Sequence, residues 1–413
     1  MEHADHSSSP RATNGSTTFG PITWETLPWR PTFDVEALSR RARNSLPDTY
    51  DAAVPAQIAG CSFHLSTGLA ADVEDATAAV MNLDHYVTTS LGQDHDIAPM
   101  QAVLLRSESV ASSQIENLTV GAKQLAIAEI GGAARGNAEL VSSNVKALRA
   151  AIRLAGTLDA TSILAMHEAL LGGQDPRAGQ WREEQVWIGS SSLSPAEAAF
   201  VPPQPLRVAA YMHDLARFLA RDDLPVLLHA ALAHAQFETV HPFTDGNGRT
   251  GRALIQAMLR RGELTRRVTI PISAGLLTDT ASYFDALMSY RDGDIVPIVQ
   301  QLCQASRTAA LHGRWLIDEL ARTRALWLET VRPRAGSASR TLLSVLVGQP
   351  AVTVVWVEER LGVSNTAARR AVDQLTAAGV IFETTDRRRN RVFVARDVID
   401  ILDEFAARTG RRG

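Results

Sequence analysis

Apolar residues recur at helical spacing along most of this chain. From Val35 to about Leu171, the segments "VEALSRRARNSL", "ADVEDATAAVMNLDHYV", "ELVSSNVKALRAAIRLA" and "DATSILAMHEALL" bring an apolar side chain back every three or four positions, which predicts a run of amphipathic helices. The period then breaks in "GGQDPRAGQWREEQVWIGSSSLSPAEAAFVPPQP", a stretch full of Gly, Pro and Ser. Connections of this length without periodic structure are either disordered or functional. Helical spacing returns in "RVAAYMHDLARFLA" and "VLLHAALAHAQFETV", and again from "FDALMSYRDGD" to about Val331. Residues 1–34 are polar and rich in Ser, Thr and Pro. They read as a flexible lead whose end, "ITWETLPWRPTFD", straps onto a neighbouring surface through Trp24 and Trp29.

This pattern divides the chain into a flexible segment at 1–34, a helical region at 35–130, a second helical core at 131–331, a linker at 332–339, a small unit at 340–404 and a flexible tail at 405–413. A length of 413 residues suits two or three cores. Hydrophobic residues at 45% and charged residues at 21% describe a globular protein, and a net charge of −4 argues against a chain wrapped wholesale on nucleic acid while leaving room for a local basic patch. Two cysteines, Cys61 and Cys303, exclude a disulfide scaffold and make a thiolate metal cluster a poor reading. No apolar run reaches the length of a membrane span and the start has no signal-like core, so the expected location is the cytoplasm, with no membrane partner.

The densest chemistry lies in "HPFTDGNGRTGRAL", His241 to Leu254. Gly246, Gly248 and Gly251 around Asn247 suggest a tight turn that brings backbone N–H groups close to something. A helix starting near Asn247 would offer its N-terminus to an anion. Arg249 and Arg252, three apart, share one face of that helix and could both reach a polyphosphate. Asp245 beside phosphates makes sense as a Mg²⁺ ligand, and His241 is the side chain able to take the proton of an attacking hydroxyl near neutral pH. Alone, the histidine could cap a helix and each glycine could merely turn the chain; it is their conjunction that points to a site. The stretch lacks the G-K-[ST] ending of a P-loop. His167, His229 and His234, also on helical segments, read as packing or hydrogen-bonding residues and not as metal ligands.

"HPFTDGNGRTGR" resembles the full signature of the Fic family, with further similarity in "AHAQFETV" and "QVWIG", over roughly Val35 to Val331. The resemblance implies a mainly α fold: a Fic-type helical bundle, catalytic over 131–331, with a β-hairpin flap. It implies transfer of AMP from ATP, with Mg²⁺, to a Ser, Thr or Tyr hydroxyl of a protein, itself included. His241 would be the general base and Asp245 the metal ligand. Gly246, Asn247 and Gly248 would surround the α- and β-phosphates, and Arg249 and Arg252 would orient the β- and γ-phosphates. "EEQVWIGSSS", Glu183 to Ser192, looks like the flap that registers a target peptide, with Val186, Trp187, Ile188 and Gly189 at its edge; a buried apolar plug is the other use of such a run.

"SSQIEN", Ser112 to Asn117, fits the family's inhibitory motif. Ser112 and Glu116 stand four apart on one helix face. By resemblance, Glu116 pairs with Arg252 where the γ-phosphate should sit, giving a self-inhibited protein with its inhibitory helix in the N-terminal region. The same glutamate could instead position a water for removal of AMP.

Residues 340–404 order as helix, short strand, helix, a turn at "GVSN", helix and two strands. This resembles a winged helix-turn-helix, with "SNTAARRAVDQLTAAG" as recognition helix and "IFETTDRRRNRVFV" as wing. Arg369, Arg370, Arg387, Arg388, Arg389 and Arg391 are the candidate phosphate contacts, within a candidate DNA-contacting stretch at 364–391. Dimerisation or target binding through this unit stays open beside DNA. Two functions therefore stand: a self-inhibited protein adenylyltransferase, and a regulator that binds DNA or protein through the winged helix with the Fic part sensing nucleotide.

Overall fold

The computed structural model describes residues 17–31, 34–44, 46–90, 97–133, 135–189, 194–384 and 390–410. The chain begins with strands. β1 (Thr17–Thr18) pairs in parallel with β4 (Cys61–Ser62), and β2 (Thr23–Pro28) pairs antiparallel with β3 (Thr49–Val54), Thr23 opposite Val54 and Pro28 opposite Thr49. The flexible segment expected at 1–34 is thus corrected from Thr17 onward, residues 1–16 lying outside the described ones. The physical reason is aromatic. Trp24 meets the edge of Phe200, Trp29 meets Trp187 and Tyr50 edge-on, and Glu25 pairs with Arg207, so a polar stretch gains a surface to pair against. The helix expected over 35–46 shrinks to a 3₁₀ turn at Val35–Ala37 and α1 (Arg40–Asn44), whose described side chains are exposed. Without a buried face, so short a helix has little to hold it.

The helical body comprises α2 (Thr67–Ser90), α3 (Ala98–Ile115), α4 (Ala122–Glu129), α5 (Ala138–Leu154), α6 (Ala160–Leu171), α7 (Pro205–Leu219), α8 (Val226–Val240), α9 (Asn247–Arg261), α10 (Ile272–Leu277), α11 (Thr280–Arg291) and α12 (Val296–Val331). α8 is buried from Leu227 through Val240, as a helix apolar on nearly all sides must be. Its polar side chains find partners inside: His229 Nε2 lies 2.9 Å from Phe218 O, His234 Nε2 lies 2.8 Å from the Tyr283 hydroxyl, and Gln236 donates to Ala56 O at 2.9 Å. Sharp starts come from caps, as at α6, where Asp159 and Ser162 form a reciprocal capping box.

α12, 36 residues long, spans roughly 54 Å and carries the body into the C-terminal unit. That unit contains α13 (Ala338–Gly348), β5 (Ala351–Val352), α14 (Val354–Leu361), α15 (Asn365–Ala377), β6 (Phe382–Glu383), β7 (Phe393–Val394) and α16 (Arg396–Thr409). The three strands form an antiparallel sheet in the order β5-β7-β6, and Gly362, at φ 64°, ends α14 before Ser364 caps α15. This is the order of a winged helix-turn-helix. Arg387, Arg388 and Arg389 of the wing lie outside the described residues.

Two boundaries move. α13 begins at Ala338 behind its Ser337 cap, inside the stretch read as linker, and α16 runs through Thr409, with Phe405 and Thr409 buried, where a flexible tail from 405 was expected. The reason is that the apolar core does not stop at the linker. One cluster of buried side chains runs from Ile58 through the helical body to Leu402 and Phe405, and Trp327 of α12 donates to Asp397 of α16 at 2.9 Å.

Candidate active site

The motif occupies the turn between the two innermost helices. α8 ends at His241, whose backbone is left-handed (φ 49°, ψ 63°) and whose N–H closes on Phe237 O at 2.8 Å. The loop that follows is tied internally. Asn247 accepts from Phe243 N at 2.9 Å and donates back to Phe243 O at 2.8 Å, so its side chain is spent on the loop while its N–H stays at the start of α9. Phe243 stacks on His167, ring centroids 3.7 Å apart. His167 accepts from Gly179 N at 2.9 Å through Nδ1, which leaves Nε2–H to donate to Asp245 O at 3.0 Å. Gly246 sits at φ 76°, and a side chain on Gly248 would run into Glu116 Oε1.

A cavity of about 300 Å³ opens over this turn, lined by Glu116, His241, Thr244, Asp245 and residues 246–249 among others. Asp245 is mostly exposed; it accepts from Gly246 N at 2.6 Å and from Arg249 Nη2 at 3.4 Å. Arg249 is buried, yet its Nε and Nη1 have no hydrogen-bond partner among the described residues. Burial presses its pKa down, against the pull of Asp245 and Glu116. Arg252, 1% exposed, donates through Nε to Ser112 Oγ at 2.9 Å, and through Nη2 to Ser112 O at 2.7 Å and Glu116 Oε1 at 2.9 Å. Burial opposes its charge, but Glu116, Tyr283 and Glu238 outweigh that and hold it firmly protonated. Glu116 ends α3, and Asn117 after it is left-handed. Ser112 and Glu116 therefore meet Arg252 across the cavity wall.

His241 Nδ1 is buried and 3.9 Å from Glu238 Oε2, so Nε2 is the nitrogen that faces the cavity. Burial, then the charges of Arg182 and Arg291, hold the imidazole well below the ordinary histidine range, and it stands neutral. Glu238 moves the other way: burial pushes it up to about 7, partly offset by Arg252.

Of Val186, Trp187, Ile188 and Gly189, Ile188 makes an isolated antiparallel bridge to Phe200 and Gly189 bends the chain at φ 147°, while Ala53 N donates to the neighbouring Val201 O at 3.0 Å. Ser190, Ser191 and Ser192 lie outside the described residues. Two residues with structural reach carry no local signal in the sequence. Arg182 looks like any loop arginine, and Glu238 like any helical acid; their partners are brought by the fold. Among the described residues no cluster of three His, Cys, Asp or Glu could hold a metal ion.

The model of the Fic/DOC family matches residues 157–259, which include every motif residue from His241 to Arg252. The chain is thus similar to the Fic/DOC family over this stretch. It is 28% identical over 204 residues to protein adenylyltransferase Fic of Drosophila erecta, covering 48% of this chain and 38% of that one. It is 32% identical over 151 residues to protein adenylyltransferase fic-1 of Caenorhabditis elegans, covering 36% of this chain and 27% of that one. The chain thus spans less than two fifths of these curated relatives. In fold it resembles the crystal structure of a Fic family protein from Desulfovibrio desulfuricans G20, with a TM-score of 0.51 at 19% identity over 81% of this chain and 97% of that one.

Proposed function

We propose that this protein is a self-inhibited adenylyltransferase that moves AMP from ATP to a Ser, Thr or Tyr hydroxyl of a protein, itself included. The observation that carries the reading is the pair of arginines on one face of α9. Arg249 is buried with two unpartnered donors, and Arg252 beside it is occupied by Ser112 and Glu116. Buried guanidinium donors left unmade are costly, and a polyphosphate in the cavity would satisfy them. The N-terminus of α9 adds its own attraction for an anion.

In this reading His241 Nε2 accepts the hydroxyl proton as the oxygen bonds to the α-phosphorus and pyrophosphate leaves. The imidazole is neutral, as a base must be, and the incoming phosphates would offset the cationic field of Arg182 and Arg291 and raise its basicity. Asp245, exposed at the cavity, is the carboxylate to hold Mg²⁺, with further oxygens coming from the substrate. That ion would neutralise charge on the phosphates as pyrophosphate departs. The run from Val186 to Gly189, bridged at Ile188, is the segment for main-chain pairing with a target. Glu116 blocks the far end and lowers the resting rate. The test is labelling with ATP marked on the α-phosphate, with Mg²⁺, for wild type, Glu116→Gly and Glu116→Gly/His241→Ala. Strong self-labelling in the first variant, faint in wild type and absent in the second is expected; no label in any of them despite ATP binding would overturn AMP transfer.

A second reading, a regulator binding DNA or protein through the winged helix, is favoured by one observation: α15 carries Arg369 and Arg370 exposed on its surface. Arg391 is already paired with Glu383. A shift of a defined duplex that weakens with salt and is lost in Arg369→Ala/Arg370→Ala would support it; a homodimer through the same unit would appear as a doubled mass in solution. Cys61 and Cys303, both buried thiols, suit the reducing cytoplasm as the setting. No helix of the described residues is long and apolar enough to cross a membrane.

A further inference from the structure

Arg182 is 4% exposed, yet among the described residues none of its hydrogen bonds goes to a carboxylate. Its guanidinium is spent on carbonyls instead. Nε donates to His241 O at 2.8 Å, Nη1 to Glu184 O at 3.1 Å, and Nη2 to Pro203 O at 2.5 Å and to Val240 O at 3.5 Å. Its own backbone N–H bonds Pro242 O at 2.9 Å. A cation over the last carbonyls of α8 would serve as an ordinary helix cap. Capping does not account for the other half of the fork, because Glu184 and Pro203 belong to the two runs of chain that meet at the Ile188 to Phe200 bridge. One planar group therefore joins the left-handed backbone of His241 to both sides of the flap base.

We propose that Arg182 is a positioning residue: it locks the docking edge to the His241 main chain, so that a hydroxyl presented on that edge reaches Nε2 in register. This rests on the adenylyl-transfer reading given above. Register matters because a displacement of about 1 Å in a reacting pair costs on the order of 100-fold in rate. Lysine keeps the charge but cannot span four carbonyls as a fixed fork, and glutamine loses both.

The test uses the full chain carrying Glu116→Gly, with Arg182→Lys and Arg182→Gln added separately, and ATP labelled on the α-phosphate with Mg²⁺. Labelling is expected to fall by about 100-fold in the Gln variant and by an intermediate factor in the Lys variant, with ATP affinity changing by no more than about twofold. His241 faces Arg182, Arg291 and Glu238, so removing the Arg182 charge should also move the acid limb of the pH–rate profile upward in the Gln variant and leave it in place in the Lys variant. A Gln variant labelling at the parent rate, or losing ATP binding and labelling in equal measure, overturns the proposal. Hydrogen exchange at the Ile188, Phe200 and His241 amides separates the two claims. If the Glu116→Gly parent never labels, the transfer reading fails; wild-type exchange at those amides in the Gln variant still refutes the lock, and joint acceleration there upholds it.

Discussion

α3 is held by two arginines, in opposite ways. At its middle, Arg106 of α3 and Glu129 of α4 are almost wholly buried, side chains 5% and 13% exposed, and the guanidinium also donates to Gly348 O at 2.7 Å and Gln349 Oε1 at 3.0 Å. Gln349 in turn donates to Ala126 O at 2.8 Å. At its end, Arg252 of α9 is equally buried, but Glu116 keeps 41% of its side chain in solvent and contributes one oxygen. Both are ion pairs at hydrogen-bond distance. Burial separates them: the first pair has no water to fall back on, whereas the second loses one contact and regains hydration. The C-terminal unit thus grips the middle of α3, while its tip, carrying Glu116, is tied by a half-exposed pair.

The largest effect should follow from cutting the buried pair. Glu129→Ala leaves the Arg106 charge uncompensated and is expected to cost about 3–5 kcal/mol, read as a lowered urea midpoint in the full chain. The transition should also split, because Arg106, which anchors Gly348 and Gln349, loses the carboxylate that holds its guanidinium in place. A variant as stable as wild type would mean that the middle and the tip of α3 are held alike.

Midway along α3, Glu108 sharpens the contrast through pH. It is 1% exposed, accepts from Ser273 N at 2.8 Å and from Ser273 Oγ at 2.6 Å, and burial pushes its pKa up to about 7, offset in part by those bonds, by Gln256 and by Arg252. An acid whose folded value lies above its unfolded one holds more proton when folded, so its contribution is fully present below about 4.5 and is lost as pH rises through about 7. Glu108→Gln removes this dependence. Its stability relative to wild type should therefore improve by about 1–3 kcal/mol between pH 5 and pH 8. Parallel stability curves for the two proteins over that range would show that Glu108 does not titrate there.

The same contrast explains what could be read from the chain. Histidine, glycines and arginines of the motif act within a dozen residues of one another, and Ser112 and Glu116 share a helix face, so spacing makes each group legible, while the link from Glu116 to Arg252, 136 positions on, was expected only from the family resemblance. Arg106 and Gly348 are 242 positions apart, and Arg182 and His241 are 59 apart. No periodicity links such partners, since only the packed fold brings them together. The strand at Thr23–Pro28 escaped for a related reason: its alternation is polar on one face, and its aromatic anchors Phe200 and Trp187 come from a distant loop. The helical body, by contrast, follows from apolar residues repeating every three or four positions, which is a local property.

The smallest effect on stability should come from Glu116 itself. In Glu116→Ala, Arg252 keeps both oxygens of Ser112, the lost carboxylate was two-fifths exposed, and no cavity opens in the core. Exposed pairs of this kind contribute about 0–1 kcal/mol, so the urea midpoint should shift by no more than about a third of the change in Glu129→Ala. The region answering to Glu116 is the cavity. Freed of one anionic neighbour, Arg249 and Arg252 should bind inorganic pyrophosphate more tightly in Glu116→Ala than in wild type, by about tenfold if the coupling is near 1.4 kcal/mol. Calorimetric titration with pyrophosphate reads that directly. A midpoint falling as far as in Glu129→Ala, with pyrophosphate affinity unchanged, would make the tip of α3 a structural tie like its middle and remove the physical basis for a displaceable block.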